Sequence, residues 1–242
     1  MSTVYLVRHG QAGTRDAYDS LSQLGKIQAQ RLGEHFLSQG INFASACCGA
    51  LRRQRETGEE VGAAYTRAGV WFPTIQVVPE WNEFDLAQVY REMAPLLCTE
   101  DDQFRVEYEK MLEQVRNSSG EPGATIHRKW LPCDTEIVNA WISGRYPYSG
   151  ETWDQFRERI ASRRFSTGDA AGRENVVVFT SATPVAIWTG LSLQIVDERV
   201  IQLAGVLYNA SYTVLRLRQE QLRLFTFNAA PHLATDGLRT HR

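Results

Sequence analysis

Apolar and polar positions along this chain fall into blocks whose period changes. Val4-Tyr5-Leu6-Val7 is a short apolar run rich in β-branched and aromatic side chains and reads as a buried strand. A polar stretch from Gln11 to Ser20 follows, and then the period lengthens. Ser22 can cap a helix, and Leu24, Ile27, Leu32 and Phe36 recur at helical spacing until Gly40 stops it. Ile41 to Cys48 reads as a second buried strand. A second helix starts near Leu51 and runs through Arg53, Thr57, Val61 and Tyr65. Gly58 and Gly62 weaken it by about 1 kcal/mol each relative to Ala. Thr74 to Val78 reads as a third strand ended by Pro79. Strands alternating with helices at this interval predict a parallel sheet covered on both faces.

The rhythm breaks at Phe84. From there to Arg145 no strand period is present, and helical stretches take over at Leu86 to Leu97, Asp102 to Arg116 and Thr135 to Ile142. The turn Ser118-Ser119-Gly120-Glu121-Pro122-Gly123 and the loop Arg145 to Gly150 punctuate them. A helical excursion between two halves of an α/β sheet predicts a cap over the site, at about residues 84–145. Alternation resumes with a helix from Thr152 to Phe165 and a strongly apolar strand, Val176 to Phe179. A helix opens at Thr183-Pro184 with proline at its first position, and Tyr212 to Leu217 and Leu222 to Phe227 form a hairpin. The expectation is α/β: a three-layer α/β/α sandwich with a mostly parallel central sheet and a helical cap insertion, a single domain over 1–242.

Composition narrows the classes of function. Of 242 residues, 43% are apolar and 22% charged, enough for a sizeable core, and the formal net charge is −2. That charge exerts no global pull on nucleic acid or an anionic membrane, so an anionic ligand must be gripped by a local group of arginines. No run of eighteen apolar residues is present, and the N-terminus passes at once into the first strand, so no membrane span is expected and the cytoplasm is the expected compartment. Cys47, Cys48, Cys98 and Cys133 lack metal-ligand spacing and read as reduced packing residues, with no metal or cofactor expected.

The candidate chemistry sits at strand ends. The first strand runs directly into Arg8-His9-Gly10, and Gly10 is expected to let the backbone turn sharply there. In open α/β sheets the carboxyl edge is where ligands bind. A guanidinium beside an imidazole at that edge suits a phosphate gripped by one and attacked by the other. Three further segments lead to the same edge. Gly49 to Thr57 brings arginines to a helix N-terminus, which already favours anions. Trp81-Asn82-Glu83-Phe84-Asp85 follows the third strand, and Thr180-Ser181-Ala182-Thr183-Pro184 follows the fourth. The ordinary alternatives are a surface Arg-His pair, a solvated helix charge at Arg53, and a helix-start carboxylate at Glu83. His232, just past the last strand, reads as a terminal packing residue.

Leu6-Val7-Arg8-His9-Gly10-Gln11, the later Leu51-x-Arg53-x-x-x-Thr57 and a glutamate after the third strand resemble the histidine phosphatase (phosphoglycerate mutase-like) superfamily. Gly150-Glu151-Thr152, ahead of a helix with Phe156 and Arg159, is similar to that family's segment before its fourth strand. The resemblance implies a metal-independent phosphatase that hydrolyses a phosphomonoester through a phosphohistidine at His9. It makes His9 the nucleophile, and Arg8 and Arg53 the grip on the phosphoryl oxygens. Glu83 is the implied general acid, with Glu80 the competing choice. Gln11 and Ser181 would also face the phosphate. The substrate would be a phosphorylated small molecule or phosphoprotein, with no nucleic acid and no membrane involved. Family members usually place a second histidine after the fourth strand, where this chain has Ser181. Ala12 and Gly13 stand near positions where many members have Thr and Asn. Ser181 motivates the alternative of a phosphate- or phosphoprotein-binding relative with little catalysis. A phosphoglycerate-type mutase ranks below both, because nothing in the cap is tied to a phosphoglycerate. Arg55 or His232 would be the groups to fill the histidine's place, and cap residues such as His127, Trp130, Trp141 and Tyr146 are available for specificity.

Overall fold

The computed structural model describes residues 2–14, 18–119, 121, 124–163, 174–218 and 221–241. In chain order, β1 spans Ser2–Arg8, α1 Gln23–Ser38, β2 Ser45–Cys48, α2 Arg52–Arg67 and β3 Ile75–Val77. Then come α3 Leu86–Glu100, α4 Asp102–Asn117, α5 Thr125–Arg128, α6 Pro132–Ile142 and α7 Trp153–Ala161. The chain closes with β4 Asn175–Thr180, α8 Ala182–Leu193, α9 Asp197–Val206, β5 Tyr212–Arg218 and β6 Gln221–Ala229. It divides into two compact units: Met1–Gly13, Asp19–Glu83 and Ile160–His241 in one, Thr14–Tyr18, Phe84–Arg159 and Arg242 in the other.

The first unit is a mixed six-stranded sheet, ordered β3-β2-β4-β1-β5-β6, flanked by helices. β1, β4, β2 and β3 pair in parallel, and β5 and β6 add an antiparallel edge. Period-two alternation sorts the strand side chains. Val7, Ala46, Cys48, Val177 and Phe179 join Ala29, Leu32 and Phe36 of α1 and Val61 and Tyr65 of α2 in one core. Phe36 meets Phe43 and Tyr5 edge to face at 5.3 and 5.7 Å. Each such side chain, fully removed from water, stabilises the fold by about 1.5–3 kcal/mol. Val4, Leu6, Val176 and Val178 point to the opposite sheet face, where α8 is buried from Thr183 to Gly190.

Two glycines bring the end of β1 against α1. A Cβ on Gly10 would lie 2.4 Å from the Gly25 carbonyl oxygen, and one on Gly25 would lie 2.1 Å from the Gln11 carbonyl oxygen. Gly10 is therefore required for close approach of two backbones, not for the sharp turn that its position suggests. The left-handed glycines are Gly40, Gly69 and Gly144. Ser22 caps α1 as expected, its hydroxyl accepting from the Gly25 N–H at 3.0 Å.

Several boundaries differ from the sequence pattern. Ile41 to Ala44 stay outside β2, whose pairing with β4 begins at Ser45 opposite Val176, the Ala44 N–H donating to the Asn175 carbonyl just before it. β3 is cut to three residues at the sheet edge. α8 begins at Ala182 with Ser181 as its N-cap, so Pro184 occupies the third helical position. Its missing N–H is still one of the donors that a helix leaves unpaired in the first turn. The one-turn α5 and the whole of α9 were not anticipated. Gln194, at φ 55°, ends α8 in the left-handed conformation that a glycine would have advertised.

The second unit is helical. Phe84 stacks on Trp141 at 4.5 Å, and Trp141 meets Trp153 at 5.7 Å, so aromatic packing organises this small core. The Trp141 indole N–H donates to the Glu151 carbonyl at 3.2 Å, and Glu151 pairs with Arg159 at 2.6 Å. α3, α4 and α6 cover the expected stretches with bounds moved by a few residues, and α7 begins at Trp153. Gly120, Pro122 and Gly123 of the expected turn, the last residues of the expected helix to Phe165, and residues 15–17 of the loop after Gln11 lie outside the described residues. Among the described residues no helix is long and apolar enough to cross a membrane.

The backbone contact between residues 10–11 and Gly25 predicts that Gly25→Ala lowers unfolding free energy by about 1–3 kcal/mol, the usual cost of overpacking. Gly205→Ala, in α9 with open space around it, is the control and should be neutral or stabilising by up to about 1 kcal/mol. Urea midpoints of the two variants check both.

Candidate active site

The carboxyl end of β1 is anchored on every side by backbone bonds. The His9 N–H donates to the Thr180 carbonyl at 2.9 Å, and the His9 carbonyl accepts from the Ala210 N–H at 3.0 Å. The Gly10 N–H donates to Thr57 Oγ1 at 3.0 Å, and that hydroxyl donates to the Arg53 carbonyl at 2.7 Å. The Gln11 N–H donates to Gln28 Oε1 at 2.8 Å. Two helices, a neighbouring strand and the turn at Ala210 thus fix the backbone on which the imidazole is mounted. Gln28 is itself fully buried, and its Nε2 also donates to the Leu238 carbonyl at 2.7 Å, drawing the C-terminal segment onto the same loop.

The His9 ring is buried, with 2% of its surface exposed. Nδ1 lies 2.8 Å from the Gly10 carbonyl oxygen, and Nε2 lies 3.3 Å from Arg53 Nε. A carbonyl can only accept and a guanidinium can only donate. The proton therefore belongs on Nδ1, and Nε2 carries the lone pair. Burial drives the His9 pKa well below the ordinary histidine value, and the Arg53 and Arg8 charges push it the same way, against the smaller opposing pull of the Gly10 carbonyl. The ring is a neutral imidazole of fixed tautomer.

Arg53, on the first turn of α2, is buried beside it, and its Nη1 pairs with Asp19 at 2.9 Å. Arg8 is buried as well, its two Nη atoms donating to the Leu207 and His241 carbonyls. Both arginines are thus held by oxygen atoms of loop and terminal segments. Arg52 points elsewhere, into an exposed pair with Glu56 at 2.6 Å.

The remaining expected residues separate into two groups. Ser181 and Glu83 lie together at the start of α8. Ser181 is buried and accepts at Oγ from Gln54 Nε2 at 2.8 Å, while Glu83 Oε2 accepts from the Thr183 N–H at 3.2 Å. Glu80 instead pairs with Arg163 at 3.2 Å, with nearly half of its side chain exposed. Gln11 is buried, and its Oε1 accepts from the Ser22 hydroxyl at 2.9 Å, so that oxygen serves the α1 cap. His232 stacks on His35 at 5.9 Å and on Tyr212 at 6.4 Å, a packing role, and Arg55 is exposed. Neither is bonded to His9. Within the helical unit, His127 is buried with Nε2 3.0 Å from the Ser118 carbonyl, and the Tyr146 hydroxyl donates to Glu100 at 2.7 Å. Gln54, Asp19, Thr57 and Gln28 were not singled out from sequence as site residues, although Gln54 and Thr57 fall inside the segment that was. Among the described residues no group of three His, Cys, Asp or Glu side chains is arranged to hold a metal ion.

The family description matching residues 4–141 is that of the histidine phosphatase superfamily, branch 1. No curated protein matches the chain. Its fold is similar to that of YhfR from Bacillus stearothermophilus, with TM-score 0.62 and 16% identity over 96% of this chain and 99% of that one. A protein described as an alpha-ribazole-5'-P phosphatase from Escherichia coli K-12 gives TM-score 0.59 and 17% identity over 95% and 98%. A mycobacterial glucosyl-3-phosphoglycerate phosphatase gives TM-score 0.53 and 19% identity over 94% and 99%.

The buried histidines make stability depend on pH with a definite sign. Burial, with the neighbouring His35, lowers the His232 pKa to about 3. The unfolded chain takes up the proton near pH 6.5, before the folded one can. Stability is therefore full above pH 6.5 and falls as pH drops from 6.5 toward 3, by up to about 1.4 kcal/mol per pH unit for such a group. Replacing His232 with Phe should flatten the decline between pH 6 and 4 by about that slope, measured by denaturant unfolding at each pH.

Proposed function

This chain belongs to the histidine phosphatase superfamily, branch 1, and as a phosphatase of that family we propose that it hydrolyses a phosphomonoester without a metal ion, through a phosphohistidine at His9. The observation that carries the proposal is the imidazole whose Nδ1–H is committed to the Gly10 carbonyl and whose Nε2 lone pair faces a buried guanidinium. A nucleophile must be unprotonated at the attacking atom, and the low His9 pKa supplies that without a separate base.

The reaction runs in two balanced steps. His9 Nε2 attacks phosphorus in line, the N–P bond forms and the P–O bond to the leaving group breaks, with Glu83 giving its proton to the departing oxygen. Water then attacks the phosphohistidine, Glu83 takes the proton back, and inorganic phosphate leaves with His9 neutral again. Arg53 and Arg8 balance charge on the equatorial oxygens as each transition state forms. A guanidinium carries five N–H donors, so the carbonyl bonds of Arg8 are compatible with that grip. Glu83 is preferred to Glu80 because it stands beside Ser181 at the start of α8, whereas Glu80 is drawn to Arg163.

The substrate class is a phosphomonoester of a small molecule or phosphoprotein. The solved relatives named for a substrate carry different ones, a ribazole phosphate and a glucosyl phosphoglycerate, so their common feature is the phosphoryl group. Residues 84–145 are proposed as the cap that selects the alcohol part.

Replacing His9 with Ala should lower turnover of a phosphomonoester panel by on the order of 10⁴–10⁶, the scale at which an enzyme loses its nucleophile. The parent, quenched during turnover of a phosphorus-labelled ester, should carry acid-labile, base-stable label that His9→Ala lacks. EDTA should leave the parent rate unchanged. Equal turnover by parent and His9→Ala would overturn the proposal.

A further inference from the structure

Ser181 stands where the resemblance to the superfamily leads one to expect a second histidine, and its surroundings assign it an unexpected partner. Arg8 is opposite Thr180 in the β1–β4 ladder, so Ser181 follows one step on, beside His9 at the carboxyl edge. Adjacent strands lie about 4.8 Å apart, which makes the two residues neighbours. Ser181 is also the N-cap residue of α8, where a serine ordinarily bonds the first helical N–H groups. It does not do so: its side chain makes no capping bond. Among the described residues its hydroxyl bonds Gln54 Nε2 alone, at 2.8 Å.

The direction of that bond follows from a third group. Gln54 Nε2 is also 3.2 Å from the Trp81 carbonyl, which accepts from Thr180 Oγ1 as well, at 2.6 Å. A carbonyl oxygen cannot donate, so the end of Gln54 that touches it is the nitrogen. Ser181 Oγ is then the acceptor, and its hydroxyl proton is turned away from Gln54. Among the described residues no acceptor takes that proton. We propose that Gln54 is a positioning residue for Ser181, and that the oriented Ser181 hydroxyl is the neutral donor to a phosphoryl oxygen bound at His9. This rests on the phosphatase reading of the site.

Space-filling alone is a poor account of Gln54. The side chain is fully buried, and its Oε1 meets no donor among the described residues. A methionine would fill the same volume without an orphaned oxygen, since an unpaired buried acceptor is a cost that native folds seldom retain without a purpose. Gly49 makes the placement possible, because a Cβ there would fall 1.9 Å from Gln54 Oε1.

The test is a double-mutant cycle with Ser181→Ala, Gln54→Met and the double variant, reading kcat and KM for p-nitrophenyl phosphate and, separately, calorimetric affinity for inorganic phosphate. Each single change should lower kcat/KM by about 10–100-fold, the lower part of the range for losing a preorganised donor and below it. The double variant should match Ser181→Ala within about twofold, because Gln54 acts through the hydroxyl. Gln54→Glu keeps the shape but lets a carboxylate accept the Ser181 proton, and should lose as much as Ser181→Ala. Multiplying losses in the double variant, or a Ser181→Ala protein within about twofold of the parent, overturns the inference and leaves Gln54 a packing residue. Retained turnover in His9→Ala would instead sink the phosphatase reading. The phosphate affinities of the four proteins then decide the inference, non-additive loss supporting it and additive or absent loss overturning it.

Discussion

The site depends on one hydrogen bond, from His9 Nδ1 to the carbonyl of the next residue, Gly10. A carbonyl one residue away can hold the ring only if the backbone there is rigid, and it is rigid because Gly10 and Gly25 allow two main chains to meet at a spacing no Cβ could tolerate. The choice of tautomer is thus made by packing between β1 and α1. The rest of the reading follows from it. With the proton fixed on Nδ1, the lone pair on Nε2 has one direction, and that direction contains Arg53.

Placing two guanidiniums around a buried imidazole has an electrostatic consequence that the fold has to manage. Buried charge is costly unless paired or hydrogen-bonded. Here the compensation is split. Arg53 has the Asp19 carboxylate, itself more than half exposed, and Arg8 has two backbone carbonyls. Asp19 is only partly withdrawn from water, and the two carbonyls carry no formal charge. The same two cations, together with burial, keep His9 neutral. One arrangement therefore suits both the anionic ligand and the deprotonated nucleophile of the proposed reaction.

The parts of this site that lie within a single stretch of chain could be read from sequence. Val4 to Gln11 carries strand, cation and proposed nucleophile in order, and the resemblance to the superfamily singles out Arg53 through the Leu51-x-Arg53-x-x-x-Thr57 pattern. What was not legible joins distant segments. The Gln54–Ser181 bond spans 127 positions and the Arg53–Asp19 pair 34, and neither a glutamine next to an arginine nor an aspartate in a polar loop has a periodic signal. Fold errors have the same origin. Ile41 to Ala44 have strand composition, but strand formation needs a partner, and the pairing of β2 with β4 begins only at Ser45 and Val176. α9 was hidden because its separation from α8 is made by Gln194 in a conformation that sequence assigns to glycine. Gly10 was identified as important for the wrong physical reason, since a turn and a close approach leave the same residue in the sequence.

Ser181 changes the electrostatics more than the hydrogen bonding. A histidine in that place would add a donor whose charge titrates near neutral pH, whereas a hydroxyl oriented by an amide donates at any pH in that range. In the proposed reaction the phosphoryl charge is then met by Arg8 and Arg53, and guanidiniums do not titrate there. The group whose protonation could still interrupt the chemistry from the nucleophile side is His9, which burial and the two arginines hold neutral. Replacing a titratable cation by a neutral pair would therefore weaken the grip on a dianion and broaden the range of pH over which the grip is constant. Gly49 leaves the room in which Gln54 reaches Ser181.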